Sequence, residues 1–149
     1  MNENKNEARL AALMEEALSA GLELQRFSEE NFPVFQGDDE KKIGEVLAER
    51  EKLIRRLVDL EKEIGLVSDS LEGGPPKEGR MPEFFENRRR LRRVLDSVME
   101  TDERAKKLLE QKIRDYKAKT VSARNRKHVS AYIESSVPDM PDNMIEYIN

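Results

Sequence analysis

Residues 43–67 read IGEVLAEREKLIRRLVDLEKEIGLV. Ile43, Val46, Arg50, Leu53, Leu57, Leu60, Ile64 and Val67 recur at alternating steps of three and four. That spacing puts them on one face of a helix as a heptad seam. Leu47 and Ile54 broaden the stripe, as a helix packed in a bundle requires. Arg50 is the one charged member of the seam. Its stem can cover apolar surface while the guanidinium reaches water. The sharper alternative is an ion pair that fixes register.

The same pattern lies upstream. Leu10, Leu13, Ala17, Ala20, Leu24 and Phe27 form a second seam, with Met14, Leu18 and Leu22 widening it. The spacing predicts a helix over about 4–35. Gly21 reads as a tolerated surface glycine, with a close backbone approach as the alternative. Pro33 is expected to stop or kink the helix at Phe32. Gln36-Gly37-Asp38-Asp39 combines a stop with a new N-cap, so the second helix is expected over 39–70 and to return antiparallel.

Gly73-Gly74-Pro75-Pro76 cannot continue a helix, so residues 71–79 form a loop. Neither flank could bury its stripe alone, so the loop lies within one domain. The third stripe holds Phe84, Phe85, Leu91, Val94, Leu95, Val98, Ala105, Leu108, Leu109 and Ile113, with Tyr116 at its edge. Pro82 suits a first-turn position. No breaker intervenes before about Glu134, so this helix would hold about 53 residues and span about 80 Å. The first two would span about 45–50 Å each, leaving the third to project about 30 Å past them. The expected fold is therefore all-α. It is an elongated antiparallel three-helix bundle (1–134) with a long, projecting third helix and a short C-terminal tail (135–149).

Composition agrees with this reading. Of 149 residues, 39% are charged and 5% aromatic, which suits long helices with one apolar stripe each. Residues 1–72 carry a net charge of −8, residues 73–133 a net of +8, and residues 134–149 a net of −4. The acidic and basic halves can pair within one bundle, or the basic half can face an acidic partner. Cysteine is absent, which excludes disulfides and thiolate chemistry. The first residues are polar and no long apolar run exists, so neither a secretory signal nor membrane insertion is expected.

Nothing supports catalysis or a cofactor. Gly73-Gly74 is followed by prolines, unlike a phosphate-binding loop. His128, the one histidine, sits beside Arg124, Arg126 and Lys127, with no second ligand to make a zinc site. The run Arg88-Arg89-Arg90, Arg92 and Arg93 spreads around a helix, and pairing with the acidic first two helices explains it more simply than nucleic acid does. A second basic run, Lys117, Lys119, Arg124, Arg126 and Lys127, falls on the expected overhang and has no acid among it. The acidic tail follows directly. Folded back, it would set Met144, Ile145 and Ile148 over apolar atoms of that segment. A solvated helix with a frayed tail is the alternative.

Phe35-Gln36-Gly37-Asp38-Asp39 followed by Val46-Leu47-Ala48-Glu49-Arg50-Glu51-Lys52-Leu53-Ile54, and Lys127-His128-Val129-Ser130-Ala131-Tyr132 further on, carry a resemblance. Together they resemble flagellar export chaperones of the FliT/FlgN kind. The resemblance implies a cytoplasmic, non-enzymatic monomer or homodimer. It would bind a filament-cap or hook-associated subunit, prevent early assembly, and dock at the export gate and its ATPase complex. It also implies that the C-terminal helical region holds the client and that a tyrosine serves gate docking, matched best by Tyr132 and less well by Tyr116. Read physically, Val121, Val129, Tyr132 and Ile133 on a projecting helix suit helix-in-groove recognition. The alternatives are a structural coiled-coil scaffold with seams shared between chains, and a nucleic-acid-binding regulator.

Overall fold

The computed structural model describes residues 2–119, with side chains from Lys5 onward. Within them the chain forms α1 (Asn2–Gln36), α2 (Glu40–Asp69) and α3 (Pro82–Lys119), and no strand. The expected continuation of the third helix toward Glu134, and the tail, lie outside the described residues.

The three helices pack on one another unequally. α1 approaches both partners closely along its backbone, whereas α2 and α3 seldom come as near to each other. Side-chain size on α1 accounts for this. Ala17, Ala20 and Gly21 are buried on its core face, and small residues let neighbouring backbones draw in. Long side chains span the wider α2–α3 seam. The Arg88 guanidinium meets Glu61 at 3.1 Å, and Arg50 meets Asp102.

Gly21 is thus a core position, not the surface glycine its sequence context suggested. A Cβ there would stand 2.5 Å from Leu91 Cδ1 and 3.7 Å from Val94 Cγ1. Leu91 is itself buried, so it has to give up part of its present packing to make room. Gly21→Ala should therefore lose stability by about 1 kcal/mol, since overpacking outweighs the gain in helix propensity. Gly65, exposed on α2 with nothing near its missing Cβ, is the control. Gly65→Ala should gain about 0.5–1 kcal/mol. Urea midpoints of the two variants check both signs.

Two further expectations change. Leu22, assigned to the first stripe, is 40% exposed, because Ala17, Leu18, Ala20 and Leu24 already fill the core-facing arc. Of the two outcomes open to Pro33, the stop does not occur: α1 continues to Gln36. The ring costs one backbone donor, and only one turn remains beyond it.

The turns follow local chemistry. Asp39 takes extended backbone angles as N-cap of α2, and its Oδ1 accepts from the Lys42 amide at 3.1 Å. Gly73 and Gly74 both have positive φ, 86° and 94°, where any side chain would be strained. Leu71 and Met81, at either end of that loop, are buried and tie it to the bundle.

The core has two parts. The larger joins Leu10 to Leu24 of α1, Ile54 to Leu71 of α2 and its sequel, and Met81 to Val98 around α3. The smaller joins Phe35, Val46, Leu47, Ala105 and Leu109. Between them, on every helix, lies a buried polar residue: Ser28, Arg50, and the pair Thr101 and Asp102. Arg50 is only 3% exposed, so its guanidinium does not reach water. Nε donates to Asp102 Oδ1 at 3.1 Å, and Nη2 donates to Oδ2. Among the described residues, Arg50 Nη1 and Ser28 Oγ are buried with no protein partner, whereas Thr101 Oγ1 donates to the Ser97 carbonyl at 3.2 Å.

Candidate functional site

The smaller core sits at the end of the bundle where the α1–α2 turn meets the last turns of α3. The sequence explains its character. Most apolar residues near the end of α1 and the start of α2 are aromatic or β-branched, and they bracket a tight polar turn. Around the buried centre stand Phe27, Phe32, Val34, Ile43, Leu108 and Ile113, all only partly covered. They form an apolar rim that faces solvent.

Cations and acids fix this rim to the turn. Lys112 Nζ donates to the Gly37 carbonyl and reaches Asp38 Oδ1 at 3.1 Å. The Arg104 guanidinium lies 5.0 Å from the centre of the Phe32 ring, which both shields the ring and holds the cation. Tyr116, one turn before Lys119 at the end of α3, donates its hydroxyl to Glu40 Oε1 at 3.0 Å. These links tether the end of α3 to the first turn of α2.

That hydrogen bond, with lesser help from partial burial and the charges of Glu40 and Asp38, raises the Tyr116 phenol above its ordinary 10.0. A phenol with a raised value keeps its proton in the folded chain when the unfolded chain has lost it. Its contribution to stability is therefore complete below pH 10.0 and declines as pH climbs through the raised value. Alkaline titration of phenolate absorbance should lose its latest-rising component in Tyr116→Phe. A variant that loses an earlier component instead would show the Glu40 bond to be absent in solution.

Of the residues assigned to partner binding, Tyr116 is at the exposed edge of this site. Val121, Val129, Tyr132 and Ile133 lie outside the described residues. In the basic surface, Lys117 and Lys119 are exposed on the last turn of α3, and Arg124, Arg126 and Lys127 lie outside. His128 and the tail residues Met144, Ile145 and Ile148 also lie outside. The first arginine run is split between destinations. Arg88 reaches Glu61 of α2, but Arg89 pairs with Glu78 of the loop and Glu86 of its own helix, and Arg93 with Glu86.

Sequence reasoning singled out neither the rim nor the Thr101–Asp102 pair. The rim was visible as flanking apolar residues, but the stripes gave no sign that Phe27, Phe32 and Ile43 would be left half-covered at one end. Among the described residues, no group of acidic or histidine side chains is arranged to hold a metal. No helix there is long and apolar enough to cross a membrane. One small cavity of about 20 Å³, room for a single water, lies between α2 and α3, lined by Glu61, Arg88, Leu91, Arg92 and Leu95.

Comparison with known proteins finds no matching family model, no similar curated protein and no similar solved structure.

Proposed function

We propose that this chain is a flagellar type III export chaperone, and that the apolar rim begins the surface on which it holds its client. The observation that carries the reading is the half-covered ring of Phe27, Phe32, Val34, Ile43, Leu108 and Ile113 at one end of the helices. A rim of large apolar side chains bordered by charge is a common form of protein-docking surface. The resemblance of Phe35 to Ile54 and of Lys127 to Tyr132 to the FliT/FlgN chaperones supplies the kind of client: a filament-cap or hook-associated subunit, held in the cytoplasm and handed to the export gate and its ATPase complex. The chaperone itself does no chemistry.

The architecture in this reading is an elongated antiparallel bundle whose third helix runs on toward Glu134 and projects beyond the α1–α2 turn. Cross-helix pairs support the antiparallel order. Arg9 near one end of α1 meets Glu63 near the far end of α2, and Glu23 meets Arg56. On the other seam, Arg88 meets Glu61 while Lys112 meets Asp38. The projecting segment would carry Val121, Val129, Tyr132 and Ile133 next to the rim, so that client contacts continue from one onto the other.

Capture from lysate of flagellated cells tests this. The full chain should retain a cap or hook-associated subunit. A chain ending at Tyr116 should lose it, and Ile113→Asp in the full chain should weaken it about tenfold or more, because a buried unpaired carboxylate opposes docking. If the full chain retains no flagellar component and forms a stable higher oligomer, the scaffold reading replaces this one.

A further inference from the structure

We propose that the Ser28–Arg50–Asp102 layer divides the bundle into two cooperative units, and that the unit at the α1–α2 turn opens while the other stays folded. The division follows from where the polar residues fall, whatever the rim binds. On α1, Ser28 stands between Leu24 of the larger core and Phe35 of the smaller. On α2, Arg50 stands between Leu47 and Ile54. On α3, Thr101 and Asp102 stand between Val98 and Ala105. All three helices thus change from apolar to polar and back at one level, and the apolar contacts of the two cores do not join there.

Three features favour separation at this level. Among the described residues the smaller core has five buried apolar side chains, against eighteen in the larger, so its own cohesion is the weaker. Its rim is already partly in contact with water. The layer also contains two buried polar atoms with no protein partner among the described residues, Arg50 Nη1 and Ser28 Oγ. Water reaches both once the turn end opens, so opening relieves the cost of leaving them unpaired. The Arg50–Asp102 pair gains water in the same step, and a buried ion pair resists exposure less than the apolar packing it displaces.

The ties at the turn are suited to a latch, not a weld. Lys112 to Asp38 and Tyr116 to Glu40 are surface contacts: Asp38 is almost wholly exposed, and Tyr116 is 36% exposed. Such contacts close and release without disturbing the larger core.

Amide hydrogen exchange on the full chain under native conditions tests the division. Amides in residues 29–36, 43–49 and 103–113 should exchange about 100-fold faster than those in 13–24, 54–64 and 91–98. In Arg50→Met with Asp102→Leu, where apolar contact becomes continuous, the gap should narrow about tenfold or more. Ser28→Ala, a smaller change that leaves the ion pair in place, should narrow it in the same direction by about fivefold. Uniform protection along all three helices would overturn the proposal. So would a gap that neither substitution changes, because the difference would then come from fraying at helix ends.

Discussion

Replacing Asp102 with alanine should destabilise the fold by about 3–5 kcal/mol, among the largest losses from any single substitution in this chain. The reason is Arg50. Its guanidinium is buried between α2 and α3, and both of its hydrogen bonds go to the Asp102 carboxylate. Without that carboxylate a guanidinium charge is left in the core with no counter-ion. For a domain whose total stability is about 5–15 kcal/mol, that loss is a large fraction. Removing both charges at once should behave differently. Arg50→Met with Asp102→Leu should match the wild type or exceed it by about 1–4 kcal/mol, because the desolvation of two ions disappears with the pair.

The acid behaviour separates these variants further. Burial pushes the Asp102 carboxyl above its ordinary 3.8, against the opposing pull of Arg50's charge and hydrogen bonds. A carboxyl with a raised value binds its proton more tightly in the folded chain than in the unfolded one. Its contribution to stability is then fullest below pH 3.8 and falls as pH rises through the raised value. The apolar double variant lacks this dependence. Its advantage over the wild type should grow with pH across that interval and then level off. Arg50→Met alone keeps a carboxyl that can take up a proton, so its loss should shrink on acidification. Urea midpoints measured at a series of pH values read all of these. An advantage of the double variant that is flat with pH would show that the carboxyl is not shifted upward.

The second large effect is expected at Leu24. Its side chain is fully buried in α1, and Leu24→Ala should cost about 3–5 kcal/mol through lost contact and the cavity left behind. Leu22 is the comparison, only two residues away and of the same type. At 40% exposed, it should lose less than about 1 kcal/mol in Leu22→Ala. The pair is a strict test of helix orientation, because a rotation of α1 by one position would exchange the two results. Thermal unfolding of both variants under the same conditions decides it.

Periodicity carried most of the helical reading. The seams of α1 and α2 were visible because apolar residues at steps of three and four leave few other arrangements, and most of those residues are buried. Leu22 shows the limit of the method: a widened stripe names more residues than a core arc can hold. Gly21 shows another, because a glycine's neighbour across a helix interface is not written next to it. Arg50 stands out as the one charge in its seam, and the seam alone leaves two outcomes open to it. The residue that decided between them, Asp102, lay in the gap of the third stripe between Val98 and Ala105. Such a gap reads as a solvated interval when helices are taken one at a time. Paired with a charged seam position on another helix, it becomes a candidate for the missing counter-ion. Leu71 and Met81 belong to a loop and carry no period at all. At the site, the Tyr116–Glu40 bond joins positions 76 residues apart, which no local pattern can pair.

The unequal packing around α1 also bears on how the chain reaches its fold. α2 and α3 have little backbone surface to offer each other, so neither can serve as the template for the other. α1 and α2 are joined by a short turn and can meet early, since closing a small loop sacrifices little chain freedom. α3 must then find a surface already prepared by α1, after the whole of α2 and the Gly73–Pro76 loop have been crossed. Its docking is the long-range step, and folding should slow in variants that weaken the α1–α3 contact. Of the three helices, α1 is also the first made on the ribosome, so the helix that both others require is present before either is complete.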